Sequence, residues 1–290
     1  MLGTSLELQV LASSRADARR AVQAALAEID RLERVFSRYD QESELNRWLN
    51  DARLEPSAEL ADLLRRAEAW RTFTGNAFHP GSEALTLLWR QAERDGRLPS
   101  ESAVSRVLGH LHAPVWDERP GWRPEVPLNL NAFAKGFIVD RAAQVACDCG
   151  AAAVLVNLGG DLRHLGTTDV PVDVMNPFAP YDNAAPLVRV PLRQQGLATS
   201  GGAFRGFKVG PDQFSHLLDP RTGYPVDQVV GASVLAATCA DADVLATAFS
   251  VFRPAESLAL SAQLPGVSCL LVSQDGKVQR GPGFPNGLPL

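Results

Sequence analysis

From Ser5 to Leu11 apolar and polar residues take turns along the chain, the period-two pattern of a half-buried strand. Ser13-Ser14 then offers a helix cap, and Val22, Ala25, Leu26, Ile29, Leu32 and Phe36 recur at helical spacing, so a strand packed by an amphipathic helix is predicted. A second helix is predicted from a Ser57 cap through Leu60, Leu63, Leu64, Ala67 and Trp70 to a stop at Gly75, and a third over Ser82 to Arg94. Residues 96–126 read as loop-rich. After Leu128 the pattern predicts a helix over Ala134 to Cys149 ending at Gly150, then a β-branched apolar strand over Ala152 to Leu158 that closes on Gly159-Gly160. Strands are predicted at Val188 to Leu192 and Gly231 to Ala237, a helix at Ala240 to Phe252, and a hairpin about Asp275-Gly276 joining Cys269–Ser273 to Lys277–Gln279. Helices and strands interleave without the regular βαβ period of a doubly wound sheet, which places the chain in the α+β class, with mixed sheets and packed helices.

Composition narrows the function classes. With 290 residues, 46% of them hydrophobic, the chain can bury the core of one large domain or of two closely packed lobes. A formal net charge of -5 and scattered basic residues supply no stripe for nucleic acid, which is excluded as a partner. Cys147 and Cys149 form a C-x-C without a second pair at zinc-like spacing, so the four cysteines are expected to be buried or incidental thiols. No run of about 18 apolar residues could span a bilayer. Residues 1–15 lack the charged-then-apolar order of a signal peptide, so the expectation is a soluble chain whose native form has no export signal or has lost one.

Four groups of residues could carry chemistry. In Thr238-Cys-Ala-Asp-Ala-Asp-Val-Leu-Ala-Thr-Ala248, Asp243 and Thr247 are one turn apart and would present two oxygens on one helix face, a partial shell for a hard cation such as Mg²⁺. The competing structural reading makes Asp241 the cap, Asp243 a first-turn acid and Thr247 a hydroxyl bonded to the preceding turn. In Phe214-Ser-His-Leu-Leu-Asp-Pro-Arg-Thr-Gly-Tyr-Pro225, His216 is either a general base or phosphate partner, or a histidine bonded inside an Asp-Pro turn. Lys135-Gly136, at the start of a helix, would attract a phosphate or pyrophosphate, while Asp140 could pair with Arg141 or cap locally. Ala198-Thr-Ser-Gly-Gly-Ala-Phe-Arg205 is a small-residue turn that admits a ligand closely or is an ordinary tight loop.

Taken in order, these segments resemble one family. Gly3-Thr4, Phe36-Ser-Arg-Tyr-Asp40 with Ser43-Glu44-Leu45, Gly75-Asn-Ala-Phe78, Ala134-Lys-Gly136 with Asp140, Val156-Asn-Leu-Gly-Gly-Asp161, Ala198-Thr-Ser-Gly201, Ser215-His-Leu-Leu-Asp-Pro-Arg-Thr-Gly223 and Ala242-Asp-Val-Leu-Ala-Thr-Ala248 are similar to the signature of the ApbE family of FAD:protein FMN transferases. The most specific are the Ser215–Gly223 block and the Asp243/Thr247 helix.

The resemblance implies a T-fold-like architecture with an FAD cleft between two lobes. It implies Mg²⁺ held by Asp243, Thr247 and the carbonyl of Ala132. FAD would lie across Leu2, Tyr39, Ala77-Phe78-His79, Asn129, Lys135 and Leu217, with His216 activating the acceptor hydroxyl. The implied reaction moves FMN from FAD onto a threonine or serine of an acceptor protein and releases AMP, and the family's acceptors belong to redox complexes of the cell envelope. A non-catalytic FAD-binding protein and a metal-dependent FAD pyrophosphatase giving FMN and AMP are the alternatives. The chain departs from the pattern at His79 and Asn129, where the family generally has Asp, at Leu2, which replaces Met, and at Asn50, one place late. Asn129 can hydrogen-bond but brings no negative charge.

Overall fold

The computed structural model describes residues 4–179, 184–201 and 206–287. Its centre is a seven-stranded sheet, wholly antiparallel, ordered β1-β2-β3-β6-β9-β10-β11. The strands are β1 (Leu6–Ala12), β2 (Ala151–Leu158), β3 (Asp161–Leu165), β6 (Gly196–Gly201), β9 (Val229–Ala236), β10 (Ser268–Ser273) and β11 (Val278–Arg280). Two separate hairpins, β4 (Val170–Val174) with β5 (Val188–Leu192) and β7 (Gly206–Val209) with β8 (Asp212–Ser215), stand beside it. The helices are α1 (Arg15–Phe36), α2 (Glu44–Asn50), α3 (Ala58–Phe73), α4 (Glu83–Asp95), α5 (Glu101–Leu111), α6 (Asn131–Asp148), α7 (Cys239–Val251) and α8 (Pro254–Gln263). The class is α+β with several sheets and packed helices, as the pattern predicts, while every strand pair among the described residues is antiparallel rather than mixed.

The alternation at the N-terminus does form β1, and Ser14 caps α1, its side chain accepting from the Asp17 N–H. The apolar stripe of α1 (Ala21, Ala25, Ile29, Leu32, Phe36) packs with α3 and α6 against Val154, Val156 and Leu158 of β2. The opposite face of β2 and β3 meets the β4–β5 hairpin through Leu155, Leu162, Val172 and Val190. Strands β9 and β10 carry near-continuous apolar runs because α7 covers one of their faces. A smaller core joins α4 and α5 to the β7–β8 hairpin around Leu85, Trp89, Leu111 and Phe207.

Residues 96–126 are not loop-rich throughout. Ser100 accepts from the Ala103 N–H and starts α5, whose Val104 and Leu111 are buried. Gly109 and two valines depress helix propensity over this stretch, and tertiary burial overrides it.

Candidate active site

The site is assembled where α6 meets α7. Asp140 of α6 reaches across, and its carboxylate accepts the Cys239 N–H at 2.8 Å and the Ala240 N–H at 2.9 Å. Thr238 accepts the Asp241 N–H at 3.1 Å, so two side chains satisfy three of the unpaired amides at the start of α7. The expected local roles of Asp140 and Asp241 are thereby corrected: Thr238 is the cap, and Asp140 pairs with Arg163, 3.4 Å away, while holding a helix about 100 residues distant. Gly136 allows this approach, since a Cβ there would sit 2.6 Å from the Cys239 carbonyl oxygen.

Three ionisable groups converge one turn further in. The Lys135 ammonium lies 2.8 Å from Oδ2 of Asp161, which is 1% exposed. The contact is a buried ion pair that lowers the cost of keeping Asp161 ionised. Asp161 is placed by the Gly159-Gly160 turn, whose φ angles of 62° and 93° suit the tight β2–β3 hairpin with Leu158 opposite Asp161. Asp243 is buried in α7 and accepts the Gly136 N–H at 3.4 Å. Burial, then the charge of Asp161, pushes the Asp243 carboxyl well above the usual carboxylate range. Burial also raises Asp161, with Lys135 opposing it. Burial works against the charge of Lys135, yet Asp161 and Asp243 hold it protonated, above the ordinary lysine range.

Thr247 is half-buried one turn beyond Asp243 and makes no hydrogen bond among the described residues, so its hydroxyl does not bond back into the helix. Ala132 carries ψ 17° where a helix has about -42°, which turns its carbonyl away from the regular ladder. The Gly136 N–H, whose regular acceptor is that carbonyl, lies 3.4 Å from Oδ2 of Asp243. No group of three or more His, Cys, Asp or Glu is arranged to hold a metal among the described residues. The donors present are two carboxylates, a hydroxyl and a displaced carbonyl. That incomplete all-oxygen set is what Mg²⁺ accepts, since it completes its shell with water and phosphate oxygens.

A second cluster lies one turn before Lys135 on α6. Asn131 donates to the Tyr39 hydroxyl at 3.3 Å, and its N–H donates to Oδ1 of Asn129 at 3.1 Å. Asn129 in turn donates to Oε2 of Glu83 at 3.2 Å, and the same oxygen pairs with Arg38, whose guanidinium lies over the Tyr39 ring. Tyr39 is 65% exposed and free to meet a ligand face. Ala77 and Phe78 are buried in the main core, so they present backbone rather than side chain. His79 is buried too, and both its ring nitrogens are engaged: Nε2 donates to the Leu111 carbonyl at 2.9 Å, and Nδ1 accepts the Gly81 N–H at 2.9 Å. Leu2 and the 202–205 part of the small-residue turn lie outside the described residues.

His216 and Leu217 occupy a separate turn after β8, both half-buried. Asp219 builds that turn, accepting the Arg221 N–H at 2.8 Å and a forked guanidinium contact, while its carbonyl accepts the Gly223 N–H at 2.7 Å. Gly223, at φ 81°, is backed by Val104, which a Cβ would meet at 2.5 Å. A cavity of about 890 Å³ lies beside β8, walled by Trp89, Phe214, Leu217, Tyr224 and Val230 among others. Of the expected flavin contacts only Leu217 lines it, so the charged site is assigned by its chemistry rather than by volume.

Among the expected residues, then, Lys135, Asp243, Thr247 and Ala132 gather at the α6–α7 junction, and Tyr39 and Asn129 are joined through Asn131 one helical turn away. Asp161 and Arg38 stand in the signature segments without a site role assigned to them, and Glu83 stands in none of those segments. The signal for Asp161 was present, an acid directly after a Gly-Gly hairpin turn. Glu83 reads as an ordinary first-turn acid of α4, with nothing to foretell its burial.

The chain is similar to known proteins over nearly its whole length. The profile of the ApbE family matches residues 2–271. The FAD:protein FMN transferase of Treponema pallidum (strain Nichols) is 30% identical over 91% of this chain and 81% of its own length. That of Chlamydia muridarum is 27% identical over 77% of this chain and 73% of its own. The crystal structure of the ApbE protein from Thermotoga maritima superimposes with a TM-score of 0.82 at 28% identity, covering 98% of this chain and 95% of that one. The apo flavinyl transferase ApbE of Pseudomonas stutzeri, 21% identical, shares the fold with a TM-score of 0.75. On the reach of the family profile and the likeness of its nearly full-length relatives, this chain belongs to the ApbE family.

Proposed function

We propose that this protein is an FAD:protein FMN transferase that uses Mg²⁺ to move FMN from FAD onto a threonine or serine hydroxyl of an acceptor protein. The observation that carries the reading is the α6–α7 junction, where Asp243 and Asp161 stand beside the Lys135 ammonium with Thr247 one turn away. The Asp243 carboxyl, pushed up by burial and by Asp161, would give up its proton to a divalent cation bound at its oxygens. The relatives' names support flavin transfer as the activity.

In the proposed step the acceptor hydroxyl oxygen bonds to the FMN phosphorus. The bond from that phosphorus to the bridging oxygen breaks, and AMP leaves with that oxygen. The hydroxyl proton passes to the His216 imidazole. Mg²⁺, held by Asp243, Thr247 and the Ala132 carbonyl, would supply charge neutralisation at the phosphate oxygens. Lys135 adds a second positive charge while anchored by Asp161, so the phosphates are held by fixed groups and little rearrangement is needed at the moment of transfer. Tyr39, Asn129, the 77–79 backbone and Leu217 position the rest of the dinucleotide.

The test is incubation of the protein with FAD, Mg²⁺ and an acceptor carrying a flavinylation-type threonine, read by intact mass spectrometry. The expected result is an FMN mass added to the acceptor, lost with EDTA and in Asp243→Ala. FAD bound and unconsumed, or AMP released at full rate without any acceptor, defeats the proposal.

A further inference from the structure

Glu83 stands out among the charged groups that the proposed reaction leaves unused. It opens α4, where a first-turn acid normally faces solvent and interacts with the helix dipole, yet it is only 9% exposed. One of its oxygens, Oε2, is shared by the Arg38 guanidinium and the Asn129 amide at 3.2 Å. Its other oxygen, Oε1, accepts no hydrogen bond among the described residues. That oxygen is not among the side-chain atoms buried without a partner, so it is open to solvent at the edge of the cluster and can take a donor from outside the chain.

Asn129 has one acceptor position left and brings no charge to it. Its Oδ1 accepts the Asn131 N–H, and its amide nitrogen donates to Glu83. Around it Arg38 is cationic, while Tyr39 and Asn131 are neutral. The hydroxyls and ring N–H groups of a flavin dinucleotide need an acceptor at this end of the site, and among the described residues Glu83 supplies the carboxylate that touches the cluster.

We infer that Glu83 is a specificity-determining residue of the flavin site: it locks the Asn129 amide through Oε2 and offers Oε1 to a hydroxyl or N–H of FAD, so that the site's negative charge resides at position 83 rather than at 129. The inference rests on the flavin-transfer reading. It also makes positions 83 and 129 exchange partners. Asn129→Asp in the native background sets two carboxylates against each other across the present 3.2 Å hydrogen bond. With Glu83→Gln the polarity reverses, the glutamine amide donating to an aspartate at 129, and the charge returns to the cluster.

The experiment is FAD titration, followed by quenching of flavin fluorescence, of the native protein, Glu83→Gln, Asn129→Asp and the double variant, with thermal melts to verify folding. Each single change is expected to weaken FAD binding about tenfold or more, the scale of one charged hydrogen bond. The double variant is expected to return to within about threefold of the native protein, a coupling that two independent defects cannot produce. Glu83→Asp, which keeps the charge, is expected to bind better than Glu83→Gln and guards against a glutamine variant that folds poorly. In steady-state transfer the Glu83→Gln effect should fall on the KM for FAD, with kcat within about twofold. Native-like binding by Glu83→Gln, or the same effect of Asn129→Asp in both backgrounds, overturns the role of Glu83 while leaving the transferase reading standing. Failure of the native protein itself to bind FAD overturns both.

Discussion

Acidifying the protein from pH 7 to pH 5 should weaken it through His79, with His164, buried and also pushed down by burial, acting in the same direction. The ring is 4% exposed, with Nε2 donating to the Leu111 carbonyl and Nδ1 accepting the Gly81 N–H, so a second proton on the ring has no place to go. Burial is the main cause that lowers its pKa to about 4, against 6.5 for an unhindered histidine. The unfolded chain therefore binds a proton that the folded one refuses. The neutral ring's contribution is complete above pH 6.5 and is lost as the pH falls towards 4. The loss comes to about 2 kcal/mol between pH 7 and pH 5 and about 3 kcal/mol by pH 4. Urea unfolding at half-unit steps across this range, for the native protein and for His79→Asn, isolates the term. The variant should start lower, having lost the Leu111 contact, and fall less steeply by about 2 kcal/mol between pH 7 and pH 5. Parallel curves for the two proteins, or a His79 ring seen by NMR to titrate near 6.5 in the folded state, would refute the reasoning. The residue matters to the site because the 77–79 backbone is held beside Asn129, whose N–H donates to the Pro80 carbonyl at 2.7 Å.

Other substitutions separate chemistry from scaffold. Asp243→Asn should abolish Mg²⁺-dependent transfer while raising the metal-free melting temperature, because one of two facing buried carboxylates is gone; the gain is on the order of 1 kcal/mol by thermal unfolding without metal. Gly136→Ala should cost about 1–3 kcal/mol by driving a methyl into the Cys239 carbonyl, and equal stability in urea melts would deny the tight α6–α7 contact. Asp140→Ala should lose about 1–2 kcal/mol as two amides at the start of α7 lose their acceptor, measured in the same way. His216→Ala should slow acceptor flavinylation by about 10²–10⁴ in single-turnover kinetics with FAD affinity unchanged; a loss confined to FAD binding would make it a ligand contact instead.

Much of this was readable from the chain because its main helices obey simple periodicities. Val188–Leu192 was delimited as observed, and α7 began and ended within one residue of its predicted bounds. The Asp243/Thr247 spacing is a local fact of helix geometry, so it survived intact. What escaped were relations between distant segments. Asp140 looked like a local cap, yet its partners are residues 239 and 240, and only the packing of two helices reveals them. Short strands such as β3, β7 and β8, four or five residues each, hold too few alternations to register against turn-rich surroundings. Glu83 and Arg38 became neighbours through the fold alone, and no spacing rule links positions 45 apart.

The order of strands in the sheet bears on how the protein is made. Strand β1 is made before the other described strands and, among the described residues, pairs with β2 alone, Leu6 opposite Leu158, so most of the helical layer is synthesised in between. At about 5–20 residues per second, β1 waits roughly 8–30 s for the segment it pairs with. Throughout that interval an alternating strand with Leu6, Leu8 and Val10 on one face has only α1 to shelter it. The nascent chain thus carries an adhesive edge for most of its birth, and a cell making this protein quickly depends on α1 folding over β1, or on a holding chaperone, until residue 158 emerges.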